Sequence, residues 1–107
     1  MDPLGYQLKI ENAVILAACV RSRAVRKIIA ALKESRRPLG ITALCRKTSC
    51  SRRDALRYLS ALVRLGAVGE RRPGTLRLFK LLDNSVSAFM LRVMEHADRW
   101  DADGRSG

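Results

Sequence analysis

The stretch ITALCRKTSCSRRDALRYLSALVRLGAV, residues 41–68, decides how this chain folds. It opens on a short helical run, 43–48, that Thr42 is placed to cap, and it turns at Thr48-Ser49. Ser51 then stands as the N-cap of a longer helix over 52–65, with Asp54 three residues on in a capping-box-like start. Ala55, Leu59, Leu62 and Val63 fall on one face of that helix, flanked by Leu56 and Leu65. Gly66 is a natural stop, because glycine accepts the left-handed backbone on which helices end. Off the apolar face stand Arg52, Arg53, Arg57 and Arg64, with Tyr58 at its border.

Upstream, Val25, Ile28, Ile29 and Leu32 recur at i, i+3, i+4 and i+7, which predicts an amphipathic helix over 23–35 behind Ser22 as N-cap. Arg36-Arg37-Pro38 ends it, since proline disfavours helix at the residue before it. Leu39-Gly40-Ile41 reads as short and extended. Downstream, 67–70 and 76–82 read as two strands around Arg72-Pro73-Gly74-Thr75, a turn signal. The order over 23–82 is therefore three helices and a two-stranded hairpin. The fold class is mainly α with a small β-hairpin wing.

Two apolar elements flank this unit. Residues 8–20 read as a helix with Ile10, Val14 and Ala17 on one face and little polar surface opposite. Residues 85–100 read as a last helix, capped by Asp83, Asn84 or Ser85. There Val86, Met90, Val93, Ala97 and Trp100 are spaced 4, 3, 4, 3, as on a helix-pairing seam, and Phe89 and Met94 widen it. Such a stripe more commonly packs against its own subunit. Because it follows a complete helical unit, Ile10, Val14, Val86, Phe89, Met90, Val93, Ala97 and Trp100 are read as homodimer contacts. Residues 1–7 are expected as a loose arm and 101–107 as a disordered tail, leaving one domain over 1–107.

Charge narrows the function. The chain carries 21 Lys and Arg against 10 Asp and Glu, a net charge of +11. Residues 9–80 hold 18 basic and 4 acidic side chains, and residues 81–107 hold 3 and 5. The positive field thus belongs to the helical unit and its hairpin. It draws polyanions by counterion release at phosphates, although a basic surface also merely keeps a protein soluble. Sixteen of the basic residues are arginine, the better bidentate partner for phosphate and guanine. The longest apolar run, Ala13 to Val20, is far short of the ~20 residues a membrane span needs. Met1-Asp2-Pro3 lacks the basic start of a secretory signal, so a cytoplasmic, nucleoid-associated protein is expected.

Residues 23–82, with 41–68 as the matching stretch, resemble the winged helix-turn-helix superfamily, in the style of the small ArsR and MarR regulators of bacteria and archaea. The resemblance covers over half of the chain. It rests on the helix opening at Thr42, Cys45 at a small buried position, Cys50 as the apolar anchor of the turn, and Leu65-Gly66-Ala67-Val68 after the second helix. Thr48 stands where an aliphatic residue is usual and Ser49 where glycine is usual. The resemblance implies that helix 52–65 enters the major groove of double-stranded DNA and that the hairpin lies along a minor groove or the phosphates.

The residues agree with that implication. Arg53 and Arg57 are i, i+4 neighbours and first choice for base or phosphate contact. Ser51 and Arg52 sit at a helix N-terminus, where backbone N–H groups favour phosphate. Tyr58 reads either as a phosphate contact or as packing at the core edge. Arg46 and Lys47 end the preceding helix, touching backbone phosphates or complementing its dipole. Arg71, Arg72 and Arg77 bracket the hairpin tip.

No enzyme, cofactor or metal site is expected. There is one histidine, no phosphate loop and no nucleophile motif, and Cys45 and Cys50 behave as small apolar residues without metal-ligand spacing. No small-molecule effector is identifiable. Two alternatives stay open beside a specific regulator: a non-specific architectural or chromatin protein, and a protein–protein module of a transcription or replication complex.

Overall fold

The computed structural model describes residues 17 and 20–106, with side chains described as far as His96. Helix α1 runs Arg23–Glu34, strand β1 Leu39–Gly40, helix α2 Ile41–Thr48 and helix α3 Arg52–Arg64. Strands β2, Val68–Arg71, and β3, Leu78–Leu81, follow, and helix α4 spans Ser85–Ser106.

The cap chemistry decides where the helices start. The Ser22 hydroxyl accepts from the Val25 N–H at 3.4 Å, and the Ser51 hydroxyl from the Asp54 N–H at 3.1 Å. Helix α2 departs from expectation. It begins at Ile41 with Gly40 as N-cap and no side-chain cap, because β1 delivers an extended backbone straight into the helix. Thr42 lies inside the first turn, exposed. Helix α3 ends in two paired bonds, Gly66 N–H to Val63 O and Ala67 N–H to Leu62 O, both 3.0 Å. They need a left-handed residue between them, and Gly66 supplies it at φ 86°.

The sheet has three strands in the order β1-β3-β2, all antiparallel. The sequence showed the hairpin but not the edge: Leu39 pairs with Phe79 and Gly40 with Leu78. Two residues are too few to show alternation, and the pairing is long-range.

The core lies where α1, α3 and α4 meet the sheet. Ile28, Ile29, Leu44, Leu59, Leu62, Phe79 and Met90 are fully enclosed. Each such aliphatic or aromatic side chain contributes about 1.5–3 kcal/mol by leaving water. Arg26 is also buried, 8% exposed, and its Nη1 donates to the carbonyls of Val20 and Arg21 at 2.6 and 3.0 Å. A guanidinium on carbonyls of the preceding helical turn meets the negative end of that turn's dipole.

Asn84 caps α4. Its Oδ1 accepts from the Ser87 N–H at 3.0 Å, and the Ser87 hydroxyl accepts from the Asn84 N–H at 3.2 Å. Its Nδ2 also donates to Gly66 O at 2.9 Å, tying the start of α4 to the end of α3. Helix α4 continues six residues beyond the expected end at 100, through residues read as a disordered tail. Residues 101–106 contain no proline, and Gly104 is tolerated within a helix's final turn.

Candidate nucleic-acid interface

Helices α2 and α3 form a helix-turn-helix, and the turn between them holds α3 by two unusual residues. Thr48 is 3% exposed, and its hydroxyl donates to Leu44 O at 2.6 Å. A polar group at an aliphatic position is thereby satisfied within its own helix. Ser49 adopts the left-handed conformation, φ 57°, ψ 30°, at the position where glycine would be unstrained. Cys50 packs against the core as expected of an anchor, whereas Cys45, expected as buried, is half-buried.

On α3, burial of Ala55, Leu59 and Leu62 turns the other side outward. Ser51, Arg52, Arg53, Arg57 and Arg64 are all exposed. Arg57 is the organised one. Its guanidinium lies 5.0 Å from the Tyr58 ring, Nη2 donates to the Tyr58 hydroxyl at 3.2 Å, and Asp54 stands 3.7 Å away. With 69% of Arg57 and 53% of Asp54 in solvent, that ion pair is weak and exchangeable. Tyr58 packs its ring against the core edge, the second of its two readings, and its hydroxyl accepts from Arg57. Arg46 and Lys47 occupy the exposed last turn of α2.

The wing is more constrained. Side chains alternate along a strand, so the register Glu70↔Phe79 places Glu70, Arg72, Arg77 and Phe79 on one face and Arg71, Leu78 and Lys80 on the other. On the first face Glu70 accepts from Arg72 Nε at 2.7 Å, from Arg77 Nε at 2.7 Å and from Arg77 Nη2 at 3.1 Å. The Arg77 guanidinium also lies over Phe79 at 5.4 Å. Hydrogen bonds from Arg77 and then Arg72 hold the Glu70 carboxyl down at about 2 from an ordinary 4.5, against the opposing effect of burial. The bond to Glu70 likewise raises the pKa of Arg77.

Arg77 is therefore corrected from an outward contact to an internal brace, because a bidentate carboxylate and a ring occupy it. Arg72 shares Glu70 but is 67% exposed, and Arg71 is exposed on the opposite face. Sequence reasoning missed Glu70. The signal was present, as an acid two residues before Arg72 on a strand and diagonal to Arg77 across the turn, but it needs the register.

The expected dimer contacts divide. Val86 and Met90 are 1% and 0% exposed, enclosed with Met94 in the chain's own core, so they are corrected to internal packing. At these two positions the spacing that suggested pairing serves α4's contact with its own core. Phe89 and Val93 are half-buried at the edge of that core. Ile10 and Val14, with the rest of 8–20 except residues 17 and 20, lie outside the described residues. So do the side chains of Ala97 and Trp100. Among the described residues no three His, Cys, Asp or Glu side chains gather as a metal set, and no helix is long and apolar enough to cross a membrane.

Three helices, a turn that sets α3, and a braced β2–β3 hairpin define the winged helix-turn-helix fold. Residues 23–72 match the model of the IclR helix-turn-helix domain. Among solved structures the chain is similar to the AntR antimony-specific transcriptional repressor, with 16% identity, TM-score 0.69, and coverage of 100% of this chain and 91% of that one. It is also similar to a possible transcriptional regulatory protein (fragment 1–100) from Mycobacterium bovis, with 20% identity, TM-score 0.67, and coverage of 87% and 99%. A likeness to human N-acetylserotonin methyltransferase, with 15% identity and TM-score 0.59, covers 73% of this chain but only 22% of the enzyme. These likenesses are of fold. No curated protein matches the chain by sequence.

Proposed function

We propose that the chain is a DNA-binding transcription regulator, not an enzyme, that acts as a homodimer. Helix α3 enters the major groove, and the wing follows the backbone or the minor groove. The observation that carries this reading is the exposed arginine face of α3, Arg52, Arg53, Arg57 and Arg64, on the second helix of a helix-turn-helix in a chain of net charge +11. The helix-turn-helix domain match and the likeness to transcriptional repressors support it.

In this reading Arg53 and Arg57 meet base edges or phosphates. Ser51 and Arg52 bring a helix N-terminus to a phosphate, Tyr58 steadies Arg57, and Arg46 and Lys47 touch the backbone. Arg71 and Arg72 contact DNA from the wing, with Arg77 shaping it. Pairing through the remaining surface of Phe89 and Val93 sets two copies of α3 about one DNA turn apart, ~34 Å. The place of action is the cytoplasm, on the nucleoid.

The test is selection from a random-sequence duplex library at ~150 mM salt, with sequencing of the bound fraction. Enrichment of a two-fold-symmetric motif is expected. Binding without enrichment turns the reading to an architectural protein, and no binding to a protein–protein module.

A further inference from the structure

One residue of the wing does no visible work in the folded chain. Leu76, read from the sequence as part of the second strand, 76–82, lies outside β3 with 62% of its surface exposed. Among the described residues Leu82 is the other large exposed apolar side chain, at 36%. Leu82 has a local role, since its side chain covers the backbone of Gly69, where a Cβ would come within 2.9 Å of it. Leu76 is absent from the core and from the shell packed against it. The local turn does not require leucine: its backbone N–H closes the turn onto Pro73 O at 3.2 Å, which any residue but proline would do.

The tip that carries Leu76 is held in shape. Glu70 binds Arg72 just before the tip and Arg77 just after it, so one carboxylate fastens both ends of 72–77. Gly74, at φ 63°, completes the tight turn between them. The surroundings are cationic: Arg71 and Arg72 are exposed and line a shallow hollow with Pro73 and Leu78. An apolar side chain on a rigid, arginine-flanked projection matches one receptor chemistry well. The minor groove concentrates negative potential that attracts arginine, and base steps opened from that side accept an apolar wedge.

We propose that Leu76 is such a wedge: it enters the DNA minor groove at the wing tip, partly unstacks one base step and bends the duplex. This rests on the DNA-binding reading above and adds a deformation to it. Pre-shaping by Glu70 lets the wedge act without first ordering the tip. Bending turns more duplex toward the exposed arginines of α3 and the wing. Sequence preference at that step then comes from how readily it unstacks, with flexible pyrimidine–purine steps favoured.

The experiment uses the full chain with a 40-base-pair duplex, bearing the selected motif or a random sequence, labelled at both ends for energy transfer. Wild-type protein is expected to shorten the end-to-end distance by a bend in the range of roughly 20–90°. Leu76→Ala is expected to remove most of that bend and weaken binding about tenfold. The slope of affinity against salt should become shallower, because the further phosphates that the bend brings to the arginines are lost. Leu76→Met should keep the bend. Leu76 is exposed, so these variants are expected to stay folded, and circular dichroism checks it.

Binding by wild type and Leu76→Ala with equal bend and equal affinity overturns the wedge while leaving DNA binding intact, and it makes Leu76 a contact for a protein partner instead. A straight duplex with wild-type protein overturns it equally. Absence of any duplex binding by wild-type protein overturns the functional reading itself, and the wedge with it.

Discussion

Helix α3 and the wing both present arginines, but they hold them differently. On α3, Arg52, Arg53 and Arg57 are exposed, and the ion pair there, Arg57 with Asp54, is open to solvent at 3.7 Å. In the wing a single carboxylate, 14% exposed, holds Arg72 and Arg77 at 2.7 Å each. The α3 side chains keep rotamers with which to choose a partner, whereas Arg72 and Arg77 of the wing are tied to Glu70 in advance. Under the proposed DNA-binding reading, contacts that select sequence belong to α3, and a contact that imposes shape belongs to the wing.

The strongest way to break this comparison is to remove the α3 pair. Arg53→Ala with Arg57→Ala is expected to lower DNA affinity about a hundredfold or more, at roughly 1–3 kcal/mol for each base-directed arginine. Thermal stability should move little, since both side chains are exposed. Titration at fixed salt, with a melting curve beside it, reads both. Arg77→Ala should show the reverse balance, with stability falling more than affinity. Unchanged affinity in the double variant removes α3 from the interface.

The two regions were not equally legible. Helix α3 is written in local signals: Ser51 at its start, Gly66 at its end, and a 3.6-residue period between them. Its outward arginines could therefore be named from the sequence. The wing's turn was visible in Pro73-Gly74, but its strands are four residues long, and the face that each arginine takes depends on the pairing register. That is why Arg77 was assigned outward, Glu70 was overlooked and Leu76 was placed in the strand. Val86 and Met90 failed differently. A 4-3-4 spacing shows that a helix buries one side, and it does not say whether the burial is against the same chain or another.

A second prediction halves the comparison by separating the copies. Val93→Asp puts a charge at the half-buried edge of α4, and a dimer should become monomer in sedimentation velocity. Loss of one α3 and one wing per complex then costs affinity for a two-half-site duplex, while affinity for a single half-site is retained. An intact dimer would take Val93, and with it this seam, out of the assembly.

A third prediction sharpens the comparison on the wing's side. Glu70→Gln keeps the shape but removes the charge, and should cost about 1–2 kcal/mol near neutral pH. The pH dependence gives the sign. A carboxyl held at about 2 when folded and near 4.5 when unfolded stabilises the protein fully above about 4.5. That contribution disappears as pH falls toward 2. The gap between wild type and Glu70→Gln in denaturant midpoint should therefore close over that interval. Parallel curves down to pH 2.5 would mean that the brace is not ionic in solution.

The smallest expected effect tests how α3 is held rather than what it touches. Ser49 takes φ 57° between α2 and α3. A left-handed backbone costs a residue with a Cβ about 1–2 kcal/mol that glycine avoids, while glycine's greater freedom in the unfolded chain returns roughly 0.5–1 kcal/mol of that. Ser49→Gly is thus expected to gain about 0.5–1 kcal/mol, and Ser49→Val to lose more than that, because a branched Cβ tolerates the region worst. DNA affinity should hold within about twofold for the glycine variant, since the same backbone sets the same α3. A stabilised variant with weakened binding would show instead that strain at Ser49 is coupled to the pose of α3, so that the turn as well as the arginine rotamers adapts when the helix meets its groove.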